Sequence, residues 1–493
     1  MSAAKRSIPG SKKRWDMYIG GAWAGDNGAL FDVVNPATEE VLASVPEATP
    51  AQVDQAVAFA RSVADSGTWS TVSTRERARV LTQIAEGMAA RADDLLQVIV
   101  SETGCPVSQA KAGQIDVAVQ DMFLWAELAI QPLEVPLPRG YSASGGLASS
   151  LAVREPHGVS LAIAPWNFPL YQVVHKLGPA LAMGNAVIVK PAPQGSLTAL
   201  LLAGIIDNTD LPKGTVQFVT GASVSVGESL VSHPGIDHVA FTGSTAVGKR
   251  IMQQAAGSLK RLTLELGGKS ASIFLEDADL DRALPYALGQ IVFHAGQVCT
   301  AKSRLLLPRS LYGECVEQLV SLASNVHLGS PTDPSTHMGP LIGAAHRERV
   351  KEFVLGAGRE GAEVVFGGQD ASVDGKGYYF TPTLLGNVKD HMRIAQEEVF
   401  GPVLAIMAYD SVDDAVRIAN SSVYGLSGAV WSRDLNRAFE VARRLQTGTV
   451  EINGGGFNPY APFGGYKQSG IGRENGVWGL HEYSELKHVT WAA

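Results

Sequence analysis

Cysteine is scarce. Only Cys105, Cys299 and Cys315 occur in 493 residues, and no CxxC pair is present. An odd, widely spaced set excludes a disulfide framework and a zinc-knuckle pattern, and it points to a reducing, cytoplasmic compartment. Charged residues make up 18% of the chain, below the ~25% of an average soluble protein. The net charge is −8, which excludes the basic face that a nucleic-acid partner requires. Lys5, Arg6, Lys12, Lys13 and Arg14 form the one basic cluster, read as a solvated terminus. No apolar h-region follows it, so no signal peptide is expected. Runs of ~18 apolar residues are missing, so no membrane span is expected either. Neither a repeat period nor a G-X-Y pattern is visible.

What remains is a large, moderately apolar chain. Hydrophobic residues are 45%, and at ~150 residues per domain the length suggests about three domains or two large ones. Glycine is plentiful at 53 residues, a surplus that belongs in turns and close backbone approaches. The first third reads as mostly helical. Thr49-Pro50-Ala51-Gln52 and Ser73-Thr74-Arg75-Glu76 are capping-box starts, and a longer helix is expected over 107–128. From residue 147 the pattern changes. Two strands, 147–153 and 159–164, are expected on either side of the turn Glu155-Pro156-His157-Gly158. Short apolar strands then recur at 186–190, 216–219, 238–242 and 270–275, separated by helical lengths. That alternation implies a parallel sheet of βαβ units, whose ligands bind beyond the strands' carboxyl ends. A second such stretch spans 290–455, with strands at 403–409, 428–432 and 449–453. The tail 481–493 reads as a strand added to another sheet, of this subunit or another.

The strand ends carry the chemistry. Strand 238–242 runs into Gly243-Ser244-Thr245, where a helix start suits a phosphate or simply makes a tight turn. Strand 159–164 runs into Pro165-Trp166-Asn167-Phe168-Pro169. Two prolines stiffen this turn, and Asn167 either donates to an oxyanion or bonds its own backbone. Glu265, bracketed by leucines in Leu264-Glu265-Leu266-Gly267-Gly268-Lys269, is a candidate general base raised by burial, or an ion-pair partner of Lys269. Cys299 follows Gly296 in a run of small residues and is a candidate nucleophile or a buried small hydrophobe. Cys105 and Cys315 fit the second description. Glu397-Glu398-Val399-Phe400-Gly401-Pro402 offers carboxylates to a ribose diol, or is a solvated helix end. Pro462-Phe463-Gly464-Gly465 opens a glycine-rich loop.

Taken together in order, these stretches resemble the aldehyde dehydrogenase superfamily from about residue 16 to 491. The carriers are Pro165–Pro169, Phe241–Thr245, Leu264–Lys269, Gly296–Cys299, Glu398–Pro402 and Pro462–Gly465, with Glu265 and Cys299 separated by 299 − 265 = 34 residues. The resemblance implies an α/β fold: a Rossmann-like cofactor domain (1–130 and 151–265), an α/β catalytic domain (266–460), and a small β oligomerisation domain (131–150 and 479–493) in a dimer or tetramer. It implies Cys299 as nucleophile, Asn167 as oxyanion donor and Glu265 as the base that hydrolyses a thioester. It implies Ala164, Pro165, Trp166, Lys190, Pro193, Gly221, Gly243, Ser244, Leu266, Glu398 and Phe400 around the cofactor, and no metal.

By the same resemblance the cofactor is NAD. Pro193 stands where NAD-preferring relatives often carry a glutamate, which leaves NADP open. By position the aldehyde pocket comprises Phe168, Tyr171, Gln172, His175, Phe293, Val298, Thr300, Phe457 and Phe463. Its aromatic character, with no arginine or paired lysine for a carboxylate tail, points to a medium-sized aliphatic or aromatic aldehyde. A CoA-acylating relative would often lack Glu265, and a silent structural homologue would be expected to lose Cys299, Glu265 or Asn167; all are present.

Overall fold

The computed structural model describes residues 13–25, 28–143 and 145–492. Lys5, Arg6 and Lys12 of the basic cluster lie outside the described residues. Lys13–Arg14 pairs in parallel with Val41–Pro46 instead of forming a free tail.

The first 46 residues correct the helical expectation, because they hold the strands Met17–Ile19, Ala22–Ala24, Leu30–Val34 and Val41–Pro46. Helices follow where the capping signals stand. Thr49 and Gln52 exchange bonds at the start of Pro50–Ser66, and the Ser73 hydroxyl accepts from the Glu76 amide at the start of Thr74–Ala90. Both caps satisfy amides that have no partner within the helix. The helix expected over 107–128 is interrupted by a π-turn at Lys111–Asp116, and Val117–Leu128 continues beyond it.

Two large sheets organise the rest. The eight-stranded sheet runs, edge to edge, 470–471, 261–265, 238–242, 159–164, 186–191, 216–218, 17–19 and 22–24. Its five middle strands are parallel. Val159–Ala164 and Ala186–Pro191 are buried almost throughout, as expected for strands covered by helices on both faces. The chain enters at 159–164, steps outward to 186–191 and 216–218, then returns to the other side at 238–242. This reversal makes the carboxyl ends of 159–164 and 238–242 a topological switch point, where a crevice opens. Arg261–Glu265 is a strand that the sequence reading passed over, and Glu265 is its last residue.

The seven-stranded sheet runs 363–366, 383–386, 403–409, 304–308, 271–274, 427–431 and 449–452. Neighbouring residues of one strand enter different cores. Ile273 and Leu306 pack on one face, Phe274, Leu305 and Leu307 on the other, the two-residue period of a strand.

Residues 147–156 and 159–164 are not a hairpin. Leu147–Pro156 pairs antiparallel with Ser484–Ala492 and with Glu134–Pro136 in a separate four-stranded sheet. The two glycine-turn residues His157 and Gly158 carry the chain from one sheet to the other. This small sheet therefore claims residues on both sides of position 150. The C-terminal strand adds to a sheet of its own chain.

Helices Val117–Leu128 and Pro169–Met183 pack closely, with Gly178 against the buried Trp125. A Cβ at 178 would lie 2.3 Å from Trp125 Cδ1. Gly178→Ala should therefore destabilise the fold by ~1–3 kcal/mol through overpacking, outweighing the ~1 kcal/mol that alanine gains in helix propensity. A denaturant midpoint unchanged or raised would contradict this packing.

Candidate active site

Carboxyl ends of the eight-stranded sheet's strands and amino ends of the seven-stranded sheet's strands meet around one cleft of about 500 Å³. Ten of the residues singled out from the sequence line it: Pro165, Trp166, Asn167, Gln172, Gly243, Ser244, Leu266, Cys299, Glu398 and Phe400. Thr242, Thr245, Ala246, Gly267 and Glu397, from the same sequence stretches, line it as well, together with His346, Arg349 and Tyr424, which the sequence reading did not single out.

The loop that carries Cys299 is built from unusual backbone. His294, Ala295 and Gly296 are all left-handed, with φ of 48°, 53° and 71°. At Gly296 a Cβ would stand 2.2 Å from the Gly401 carbonyl oxygen, so only glycine fits there. The loop is then fixed by hydrogen bonds. Gln297 Nε2 donates to the His294 carbonyl at 2.9 Å, and Gln297 Oε1 accepts from the Ile342 amide at 2.9 Å. Asn167 Nδ2 donates to the Gln297 carbonyl at 2.8 Å. One N–H of the Asn167 amide thus holds the nucleophile loop, and the amide has a second N–H to offer.

Cys299 is half-buried at the cleft. Burial first, then the carboxylates of Glu398 and Glu265, push its thiol up to about 12, against the Thr300 and Cys299 amides that favour the thiolate. Val298 and Thr300 flank it and are half-buried too. Cys105 and Cys315 are fully buried, and burial pushes them up to about 12 and about 11. All three are free thiols.

Glu265 is buried, and neither carboxylate oxygen has a hydrogen-bond partner among the described residues. Burial and the nearby charge of Glu474 hold its carboxyl well above the usual range, with Lys176 and Arg473 opposing. Gly464 makes room for it: a Cβ there would lie 2.7 Å from Glu265 Oε1. The ion pair with Lys269 considered from the sequence does not form. Glu398 is raised to about 7 by burial, although its Oε1 accepts from the Gly268 amide at 3.1 Å. A Cβ at Gly267 would be 2.2 Å from Glu398 Oε2.

Behind this pocket lies a buried charged group. Lys176 Nζ donates to Glu474 Oε1 at 2.8 Å and to Thr242 Oγ1 at 2.6 Å. His175 bonds Asp121 through Nε2, and its Nδ1 stands 3.7 Å from Glu474 Oε2. Burial alone would lower the imidazole, but Asp121 and Glu474 raise it to about 9. The His175 ring is buried behind Tyr171, 4.0 Å away between centroids.

The other aromatics do cluster. Phe168 stacks near Phe293 at 6.3 Å and meets Tyr171 edge-on at 6.5 Å, and Tyr171 meets Phe457 at 6.4 Å. Phe463 is half-buried and exchanges backbone bonds with Glu474. Ala164 ends its strand and is buried; its carbonyl accepts from the Ala192 amide. Lys190, Pro193 and Gly221 lie outside the cleft at the adjoining strand ends. Lys190 Nζ donates to the carbonyls of Gly221 (2.9 Å) and Pro191 (3.1 Å).

His346 and Arg349 come from one turn of the helix Ala344–Arg359. The His346 ring meets Trp166 and Phe400 edge-on, and Nε2 bonds the Phe400 carbonyl oxygen at 2.7 Å. Arg349 donates to the Glu398 carbonyl at 3.0 Å. Among the described residues no group of His, Cys, Asp and Glu is arranged to hold a metal ion.

Because the Cys299 thiol sits so high, its thiolate fraction grows about tenfold per pH unit far past neutrality. Iodoacetamide alkylation of Cys299 in the protein alone should therefore keep accelerating up to at least pH 10. A rate that levels off near pH 8.5, where an ordinary cysteine titrates, would contradict the raised thiol.

Comparison with known proteins fits this geometry. The aldehyde dehydrogenase family pattern matches residues 23–489. Betaine aldehyde dehydrogenase of Bacillus subtilis (strain 168) is 38% identical over 484 residues, covering 96% of each chain. The NAD+ complex of an aldehyde dehydrogenase from Bacillus cereus superposes with a TM-score of 0.94 at 40% identity, covering 97% of each chain. A mutant of aldehyde dehydrogenase C from Pseudomonas syringae, in complex with NAD+ and octanal, superposes at 0.91 with 39% identity over 96% of each chain. A match over nearly the whole length, with cysteine, asparagine and glutamate gathered at one strand-end cleft, places this chain in the aldehyde dehydrogenase family, as an oxidoreductase acting on aldehydes.

Proposed function

We propose that this protein oxidises a medium-sized aliphatic or aromatic aldehyde to the carboxylic acid with NAD, through a thioester on Cys299 that Glu265 hydrolyses. The observation that carries this reading is the meeting of Cys299 and the Asn167 amide at one cleft, with the buried Glu265 carboxyl, unpartnered among the described residues, close enough for its charge to act on the Cys299 thiol.

The cleft suits a dinucleotide. Gly243-Ser244 opens the helix Thr245–Ala255, whose first amides favour a phosphate. Gly267 leaves space beside Glu398 that any side chain would fill. Ser244, Trp166 and Arg349 would face the pyrophosphate end, Glu398 and Phe400 the nicotinamide ribose. When bound, the nicotinamide accepts the hydride that leaves the substrate carbon.

The remaining steps belong to this chain. Cys299 Sγ, once deprotonated, attacks the aldehyde carbon and forms a C–S bond, and the carbonyl oxygen becomes an oxyanion. The Asn167 side-chain amide and the Cys299 backbone N–H donate to that oxygen. Loss of hydride leaves a thioester. Glu265, raised by burial, takes a proton from water, which attacks the acyl carbon; the C–S bond breaks and the acid is released. A base whose carboxyl lies above the usual range is better matched to neutral pH than an exposed glutamate.

The aromatic walls formed by Phe168, Tyr171, Phe293 and Phe457 support an apolar substrate. The Pseudomonas syringae relative holds octanal. A cytoplasmic homo-oligomer completes the proposal. The four-stranded sheet exposes Tyr141, Leu147, Leu486 and Trp491, an apolar set that a second copy would cover, and the three free thiols suit a reducing compartment. No helix among the described residues is long and apolar enough to cross a membrane.

The test is a substrate panel with NAD+, read by absorbance of the reduced nicotinamide and by product identity. Octanal and benzaldehyde should turn over to octanoate and benzoate without added thiol. Turnover of succinate-type semialdehydes alone, or product only as acyl-CoA when coenzyme A is supplied, would contradict the proposal.

A further inference from the structure

In parallel dinucleotide-binding sheets an acid near the end of the second strand commonly accepts from the ribose 2′-hydroxyl, and its charge disfavours a 2′-phosphate. Here the second strand of the nucleotide sheet ends in Lys190-Pro191-Ala192-Pro193, with no acid. A carboxylate nonetheless reaches this corner from elsewhere in the chain. Glu47 follows the strand Val41–Pro46, and its carboxylate accepts from the Ala222 amide at 2.6 Å and the Ser223 amide at 3.0 Å, as well as from the Ser223 hydroxyl. These groups stand at the start of the helix Val224–Ser232, directly after Gly221, whose carbonyl accepts from Lys190 Nζ.

Two further bonds fix Glu47 from both sides. Thr220 Oγ1 donates to the Pro46 carbonyl at 2.6 Å, and the Ala48 amide donates to the Thr220 carbonyl at 3.0 Å. Burial works against ionisation, yet the Ser223 hydroxyl, the two amides and the charge of Lys190 hold the Glu47 carboxyl below the usual range. The two amides that lead into this helix, Ala222 and Ser223, are thus already occupied by a fixed anion, which sets a negative charge where the helix start would otherwise attract a phosphate.

We propose that Glu47 selects the cofactor: it supplies, from a distant part of the chain, the negative charge that Pro193 cannot, and it excludes the 2′-phosphate of NADP. This inference rests on the nucleotide-binding reading above. It makes Glu47 a specificity residue with no part in the chemical steps.

The test is direct titration of NADH and NADPH into the full-length protein, followed by nucleotide fluorescence with no aldehyde present. Wild type should bind NADH at least 10-fold more tightly than NADPH. Glu47→Gln and Glu47→Ala should narrow that gap at least 5-fold, through tighter NADPH binding. Circular dichroism checks both folds; should the alanine variant unfold, the glutamine variant, whose amide oxygen still accepts from Ser223, carries the test. An unchanged gap, an equal loss for both nucleotides, or no preference in wild type would overturn the role of Glu47 while leaving the aldehyde reaction standing. Failure of wild type to bind either nucleotide would overturn both.

Discussion

The site depends on one hydrogen bond, from the Asn167 side-chain amide to the Gln297 carbonyl at 2.8 Å. Asn167 belongs to the turn after the central strand of the eight-stranded sheet. Gln297 belongs to the loop that precedes the seven-stranded sheet's strand Arg304–Pro308. The bond therefore joins the two halves of the molecule at the point where Cys299 is presented. Three consecutive left-handed residues, each costly for a side chain other than glycine, are tolerated at 294–296 because Gln297 and the close Gly296–Gly401 approach hold the loop from several directions. The same amide that would stabilise an oxyanion also fixes where the nucleophile stands.

Electrostatics follow from that enclosure. Burial disfavours charge on both Cys299 and Glu265, so the resting site holds a protonated thiol and a carboxyl raised above its ordinary range. Charge is placed one layer further back, where Lys176 and His175 face Glu474 and Asp121. These buried ions are paired, as desolvation requires, whereas Glu265 has no hydrogen-bond partner among the described residues. An unpaired buried carboxylate is a cost to stability, and its position beside the nucleophile gives that cost a chemical purpose.

Much of this was legible in the sequence, because parallel strands end abruptly and short motifs mark the ends. Asn167 and Ser244 stand beyond strand carboxyl ends, as the alternation implied, whereas Cys299 and Glu398 reach the same cleft from loops that precede the strands Arg304–Pro308 and Val403–Tyr409. What escaped has physical reasons. Arg261–Glu265 alternates Leu262 and Leu264 with Arg261, Thr263 and Glu265, but its charges masked the two-residue period. The early strands are two to six residues long, so too few positions carry a two-residue period for local pattern to show it. His346 and Arg349 read as the polar face of an ordinary helix; only the fold turns them into the cleft. The pairing of His175 with Asp121 and Glu474 also escaped, because those partners lie 54 and 299 residues away in the chain. Glu47 carries no motif at all, since its meaning comes from amides 175 residues away.

The central claim is that acyl transfer passes through Cys299 and that Glu265 releases the product. Its most direct measurement is intact-protein and peptide mass spectrometry of Glu265→Gln, quenched after mixing with NAD+ and octanal. The account predicts one equivalent of NADH formed in a rapid burst, followed by slow turnover, and an octanoyl group on the peptide containing Cys299. A burst without an adduct, an adduct on another residue, or steady turnover at the wild-type rate would contradict it.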